Sequence, residues 1–473
     1  MDHLLDIEVC VVGGGPAGST IARRLALLGH DVCLLEAEVF PRSHVGEALA
    51  PGILPVLDAL GMREPVEAAG FLRSNGAIVR WATEVDEIRS LPGNPGFQVD
   101  RGRFDQLLMN AAREAGVRVM QPAKAGKPKA DARGWTIPVR SAGSSFQVMA
   151  KFLVDAAGRR SVLSKTKSRS SLPTVALYSH WANTSLAGSE TRVEAGEDAW
   201  YWGAPLPDGT FSSMVFIDPV RSSDGTYGNG NLEARYRALL AQSALLRGCL
   251  DGTLVAKVKA CDASSHCDPN PVGASFIKVG EASFSIDPLS SQGVQAAMLS
   301  GLQGSIVVHT LLTHPAYAPT AIDFYQRRQI ETVTRHRDLS AQQYATQRTF
   351  ADRPFWKRRA SWKALETKTP LPPPLDLAYE DRVKLSDDAA LVDTPCITGD
   401  IVSPQRALTH PALEHSVAFL GTVEVAPLLD EIHEGATAEE VLWSWSRSIS
   451  SRLAQDIMRW LWVKGILVLD VPT

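Results

Sequence analysis

No stretch of this chain approaches the ~18 uninterrupted apolar residues that a membrane span requires. The best run, Ile306-Val307-Val308 up to Leu312, is cut by His309 and reads as a buried helix. A basic excess is missing too, since 48 Lys and Arg stand against 52 Asp and Glu for a net charge of −4. That balance provides no field for nucleic acid or an anionic membrane. The short basic stretch from Lys151 to Arg169 is mixed with serine and reads as a solvated face. Cysteine is scarce, with six in 473 residues. Cys10 and Cys33 fall in apolar strands and read as small core residues. Cys261 and Cys267, with His266 between them, lack a C-x-x-C spacing and a second ligand pair, so no metal is expected. A disulfide framework is not expected in a chain of this size. Met1-Asp2-His3 leads almost directly into a strand, so no signal peptide is read and a soluble cytoplasmic protein is expected.

What remains is an ordinary globular mix, 45% apolar and 21% charged, on a chain long enough for two or three domains. Its densest signal comes first. Ile7 to Val12 is a short β-rich run. Gly13-Gly14-Gly15-Pro16-Ala17-Gly18 follows, then Ser19 to Leu28 at helical period, closed by Gly29. A second strand, Asp31 to Leu35, ends at Glu36. Each part has a physical task in holding a dinucleotide. Gly13 permits the tight turn, Gly15 lets the backbone approach a pyrophosphate, and Gly18 lets helix and strand pack closely. The helix start at Ala17 turns free N–H groups and partial positive charge toward the phosphates. Glu36 is placed to accept hydrogen bonds from a ribose diol. The pattern alone does not separate FAD from NAD.

Further motifs make that distinction. Phe40-Pro41-Arg42-Ser43-His44-Val45-Gly46-Glu47, then Val99-Asp100-Arg101 to Leu108, appear in order. So do Phe152-Leu153-Val154-Asp155-Ala156-Ala157-Gly158 and Lys278-Val279-Gly280-Glu281-Ala282. Ile286-Asp287-Pro288-Leu289 and Gln292-Gly293-Val294 complete the series. Across residues 5–330 the chain resembles the flavin monooxygenase fold group that includes p-hydroxybenzoate hydroxylase, flavin-dependent halogenases and geranylgeranyl reductases. The resemblance implies an α/β fold: a Rossmann-like, glutathione-reductase-type FAD-binding domain with an interleaved β-sheet substrate domain. It implies non-covalent FAD against Gly13, Gly15, Ala17, Gly18, Glu36, Arg42, Gly46, Arg101, Asp155, Gly158, Gly280, Glu281, Pro288 and Gly293. Glu281 departs from the family's usual aspartate by one methylene. Residues 1–366 form the body, with FAD segments near 5–80, 98–165 and 270–330, substrate segments near 72–98 and 170–265, and a helical tail over 325–366.

Trp200-Tyr201-Trp202-Gly203-Ala204-Pro205 resembles the W-x-W-x-I-P motif of the halogenases, which puts Trp200 and Trp202 at a substrate pocket or in aromatic packing. Halogenases also need a lysine before an apolar strand in the region of Gly70 to Trp81, and this segment has none. Ser74 or Asn75 stands in its place. Direct hydroxylation through a flavin C4a-hydroperoxide is therefore expected over halogenation. By family analogy His44 and Glu47 are nearest the flavin and could assist catalysis. O₂ is a cosubstrate in this reading. With no second dinucleotide fingerprint, the reductant is NAD(P)H bound transiently or an external reduced flavin or reductase.

A Pro-rich linker, Thr367 to Pro374, leads to a module over 375–473. The module reads as helices over Ala426–His433, from a capping box at Thr437 to Glu440, and over Ala454–Val463, then a strand Ile466–Leu469. That is a small α+β, winged-helix-like unit without a basic face. Body, Trp strand and module together resemble flavoproteins that oxidise a tryptophan of a protein substrate during tryptophylquinone assembly, as in maturation of quinohemoprotein amine dehydrogenase. A peptide or protein substrate docked partly by the module follows from that likeness. A halogenase, an isoprenoid double-bond reductase and a flavin-bearing maturation chaperone are the alternatives.

Overall fold

The computed structural model describes residues 4–74, 76–90, 95–163, 167–219, 232–361 and 377–470. Asn75 and the linker Thr367 to Pro374 lie outside them. The chain starts with β1 (Leu4–Val12), buried from Val9 to Val12 as a strand covered on both faces should be. α1 (Pro16–Leu27) follows the glycine loop, with Pro16 at its first position. β2 (Val32–Leu35) returns parallel to β1, pairing Val9 with Val32 through Val12 with Leu35. On the other side of β1 the strand Ser144–Asp155 runs parallel from Leu4–Gln147 to Val12–Asp155. Arg118–Met120 extends the sheet beyond β2, and Phe276–Lys278 extends it beyond Leu153 to Asp155, both parallel. An antiparallel meander through Lys129–Asp131 and Gly134–Ser141 feeds the strand Ser144–Asp155. The carboxyl ends of β1, β2 and the Ser144–Asp155 strand therefore share one edge, where a doubly wound sheet binds its ligand.

The helix Gly293–Thr313 is long and apolar enough to cross a membrane by length and composition alone. In this fold it is a core helix packed on α1. Gly301 and Gly304 allow the approach: a Cβ on Gly301 would fall 2.7 Å from the Ala17 carbonyl oxygen. The expected helical tail is not continuous. The helix Ala318–Ala345 ends, and Pro354 opens a separate short one, Pro354–Ala360, at a first position where a missing N–H costs nothing.

A second, largely antiparallel sheet is assembled from two stretches of chain. Gly76–Arg80 and Glu87–Ser90 come from the first, and Thr191–Ala195, Ala199–Pro205, Phe211–Ile217 and Val175–Ala182 from the second. Pairing sets side chains in rows across it. His180, Ser212 and Ala204 are aligned, then Tyr178, Met214 and Trp202, then Ala176, Phe216 and Trp200. The opposite face, with Leu177, Trp181, Tyr201 and Val215, forms a core with Tyr236 and Leu240.

The chain divides into two compact units, Met1–Thr313 with Tyr325–Leu365, and His314–Phe324 with Glu366–Thr473. The segment His314–Phe324, read from sequence as part of the body, thus groups with the second unit. That unit holds the short helices Val425–Asp430, Ala438–Trp445 and Ser451–Val463. Thr437 and Glu440 form the capping box in full. The terminal strand Leu467–Leu469 pairs with Val383–Leu385, and Trp445 is fully buried among Val425, Leu428, Val441 and Leu461. A long hairpin, Ala390–Thr398 with Ile401–Thr409, has no counterpart in the sequence reading.

The α1 contact is testable. Gly301→Val should overpack the helix crossing at a cost of about 1–3 kcal/mol, more than the ~0.5 kcal/mol it gains in helix propensity. The expected result is a lower midpoint of thermal unfolding than wild type, measured on the full chain by circular dichroism.

Candidate functional site

The loop between β1 and α1 is shaped by contacts that admit no side chain. Gly13 has a φ of +107° and a Cβ there would strike the Ala156 carbonyl oxygen at 2.3 Å. A Cβ on Gly18 would fall 1.8 Å from the Gly13 carbonyl oxygen. Gly15 is different: its Cβ would meet only the Arg42 guanidinium, at 3.6 Å. That position faces open space beside a cation, which suits an approaching pyrophosphate. Glu36, nearly buried at the end of β2, accepts from the Gly14 N–H at 2.7 Å and the Glu38 N–H at 2.8 Å.

The other segments close around this loop. Asp155 is fully buried and ties its turn together, accepting from Ala157 N–H, Ser161 Oγ, Val162 N–H and Leu163 N–H. Gly158, at φ +65°, opens the turn that follows. Gly280, at φ +57°, packs on Ala17, where an added Cβ would sit 2.8 Å from the alanine methyl. Glu281 turns its carboxylate toward Arg159 at 3.4 Å. Lys167, read from sequence as part of a solvated face, instead donates to the carbonyls of Arg159 at 3.1 Å and Glu281 at 2.6 Å. Pro288 sits in a turn capped by Asp287, and Gly293 begins the core helix with nothing within 4 Å of its Cβ position.

A buried charge network holds the loop from Arg42 to Glu47. Arg101 binds Asp105 through both Nε and Nη2, at 3.0 and 3.2 Å, and Arg42 lies 3.6 Å from the same carboxylate. Arg101 also donates to the Val45 carbonyl at 2.5 Å. Gly46, at φ +98°, passes beneath Arg101 and beside Val294 of the core helix. His44 remains on the exposed side of this loop, with Nδ1 2.9 Å from the Val45 carbonyl oxygen. Desolvation, then the Arg101 guanidinium, lower its pKa below the ordinary histidine value, with Arg42 adding to the effect.

Glu47 points the other way, into the second sheet. Its side chain is 2% exposed. Oε1 lies 3.2 Å from His180 Nε2 and accepts from Ser212 Oγ at 3.4 Å, while Oε2 accepts from the Gly46 N–H. Trp200 stacks on Phe216 at 3.7 Å and is aromatic core. Trp202, one row from His180, is also buried, and its indole N–H has no hydrogen-bond partner. A separate cleft beside Asp287 is lined by Thr174, Arg337, Tyr344 and Arg359 and does not border Glu47 or His180. Burial raises the Asp287 carboxyl pKa.

Several of the sequence-named positions meet: Gly15 lies beside Arg42, Gly280 packs on Ala17, and Gly46 lies against Arg101 and beside Val294. Asp105, His180 and Ser212 were not singled out from sequence. Asp105 stands one turn after Arg101, a spacing that could have revealed it. His180 and Ser212 are joined only by strand pairing and carry no local signature.

Comparison with known proteins adds a name to this arrangement. The tryptophan halogenase family model matches residues 8–90 and 86–377. The chain belongs to the tryptophan halogenase family. The family is one of FAD-dependent oxidoreductases, and the cradle described above fits FAD. Among curated relatives, the family member is 32% identical over 340 residues to tryptophan 2-halogenase from Chondromyces crocatus. The match takes in 68% of this chain and 64% of that one, so the chain spans under two thirds of that relative's length. Among solved structures, the peptidyl tryptophan dihydroxylase QhpG, essential for tryptophylquinone cofactor biogenesis, is 26% identical with a TM-score of 0.76. That match covers 97% of this chain and 99% of the other. The flavin-dependent halogenase CmlS matches at a TM-score of 0.78 over 99% and 96% of the two chains. At 22% identity that likeness shows the fold alone.

Gly15 offers a direct check of the cradle. Gly15→Trp meets no backbone, so the variant should fold, yet its indole fills the space beside Arg42. The expected product is soluble, colourless protein. Full flavin absorbance in the purified variant would contradict the assignment.

Proposed function

We propose that this family member is an FAD-dependent monooxygenase that hydroxylates an electron-rich aromatic ring, namely a tryptophan side chain within a protein or peptide. One observation carries the choice of hydroxylation over halogenation. Ser74 or Asn75 stands in the segment where the family resemblance puts a halogenase's lysine, and the Ser74 hydroxyl donates to the Gly76 carbonyl at 2.8 Å. Asn75 carries no ammonium either, and the first lysine of the whole chain is Lys124. The end-to-end likeness to a peptidyl tryptophan dihydroxylase supports the same reading. The halogenase alternative is supported by the family model and by curated relatives that include the one from Chondromyces crocatus.

Bound FAD, once reduced by NAD(P)H or an external reductase, supplies the electrons that activate O₂. The protein supplies position and dryness. The glycine loop and Arg42 hold the cofactor. The aromatic face of the second sheet keeps water from the reacting ring. The second unit docks the peptide substrate in this proposal, since a protein substrate needs an extended surface of roughly 1,000 Å² or more. Trp443 is its natural contact: it is 68% exposed, with the Arg447 guanidinium 5.6 Å from its ring. Exposed tryptophan and arginine are the residues that most often anchor interfaces.

Two outcomes are expected. Reduced holoprotein, given O₂ and a tryptophan-bearing peptide in the presence of bromide, should add oxygen mass and no bromine by mass spectrometry. A brominated product would overturn hydroxylation. Trp443→Ala should raise KM for a protein substrate about tenfold, the loss of ~1.4 kcal/mol, while flavin content stays at the wild-type level. An unchanged KM would remove the second unit's docking role.

A further inference from the structure

We infer that His180 is the base that takes the proton from the ring carbon undergoing hydroxylation, with Glu47 as its positioning residue. The inference rests on the hydroxylase reading above and names a group that reading leaves open.

The geometry fixes the state of the imidazole. Glu47 has its Oε1 3.2 Å from His180 Nε2. A carboxylate only accepts, so in the neutral ring the hydrogen resides on Nε2 and the lone pair on Nδ1. Among the described residues Nδ1 has no hydrogen-bond partner, and the His180 side chain is 19% exposed. A free lone pair is thus left accessible on an otherwise well-filled sheet face. Glu47 is itself held in place. Its second oxygen accepts from its own loop at Gly46, and Ser212, directly across the strand pair from His180, donates to the first. A carboxylate that fixes the tautomer of a histidine and stabilises its protonated form is the arrangement general-base catalysis uses.

The surroundings of His180 suit an aromatic ring. Tyr178 precedes it by two residues and points to the same face, and Trp202 stands in the next row. The indole N–H groups of Trp202 and Trp200 are both buried without an acceptor, so this face carries donors that the protein itself does not satisfy. His44, on the same loop as Glu47, is a poorer base, because desolvation and then the guanidiniums of Arg101 and Arg42 oppose its protonation.

The balance is complete with a named reductant. One ring C–H and one O₂, with two electrons from reduced nicotinamide or reduced flavin and two protons, give one ring C–OH and one water. The new C–O bond takes an electron pair from the ring. The attacked carbon then carries both hydrogen and oxygen. Loss of that hydrogen as a proton to His180 Nδ1 returns the C–H pair to the ring and restores aromaticity. Glu47 stabilises the imidazolium until the proton passes to solvent.

Two measurements on full-length holoprotein test this. The first is ¹⁵N histidine NMR of the oxidised protein, with 3-methylindole as probe and the His180 signals assigned by their loss in His180→Gln. The expected spectrum is an Nε2–H tautomer whose Nδ1 signal moves on adding 3-methylindole, with the tautomer preference lost in Glu47→Gln. An Nδ1–H tautomer, or no response to saturating 3-methylindole, overturns the assignment. The second is turnover of a tryptophan-bearing peptide. His180→Gln should lower kcat about a hundredfold with KM within about twofold. Wild-type kcat in His180→Gln overturns the base while leaving hydroxylation intact. No oxygen transfer by the wild type overturns hydroxylation, and the base with it. If His180→Gln and His180→Asn both lose their flavin, the wild-type NMR result decides.

Discussion

One close approach of backbone to backbone underlies the rest of this molecule. At the end of β1 the chain turns so tightly that Gly18 lies against the Gly13 carbonyl, and Gly13 lies against Ala156 of the neighbouring strand. No residue with a side chain could make either contact. The turn sets the direction of α1, and α1 sets the position of the core helix through Gly301 and of the second fingerprint through Gly280. Residues far apart in sequence are thereby brought to one edge of the parallel sheet. The bonds that finish the cradle are polar and buried: Asp155 tying its turn, Glu36 holding Gly14, and Asp105 shared between Arg101 and Arg42. Buried polar groups are costly unless satisfied, so such a network specifies one arrangement of the loops.

The second sheet contributes a different kind of order. Its pleat sends alternate residues to opposite faces. One face packs a closed core, and the other presents rows that combine aromatic walls with His180 and Ser212. Trp200 and Trp202 occupy the same strand and the same face but differ in role. Trp200 is committed to Phe216 by stacking, whereas Trp202 stands one row nearer His180; the indole N–H of each is buried without a hydrogen-bond partner.

Much of the cradle was legible in sequence because its determinants are local. A glycine that must be a glycine, an acid at a strand end and an arginine at a helix start each announce themselves within a few residues. The capping box at Thr437 was readable for the same reason, and family resemblance marked the Phe152–Asp155 end of the long strand and the start of the core helix. The Glu47–His180–Ser212 cluster was not. Glu47 lies over a hundred residues from His180 and Ser212, and the three meet only through tertiary packing and strand register. The hairpin Ala390–Thr409 was missed for another reason. Its strands are mostly exposed or half-exposed, and Pro395 faces Pro404 across it, so no alternation of buried and exposed residues marks it. The break in the helical tail followed from Pro354, and Lys167 was misread because a cation bound to backbone carbonyls looks, in sequence, like any surface lysine.

The short loop from Arg42 to Glu47 has two ends with different attachments. Arg42 stands beside Gly15 of the glycine turn, and Glu47 holds His180 of the second sheet. Arg101 grips the loop between them. Only five positions of chain separate the two attachments. Thermodynamics requires any coupling between them to act equally in both directions: whatever factor the cofactor contributes to ring affinity, the ring returns to cofactor affinity. The loop is thus the short covalent path along which any such linkage between the two ends would run.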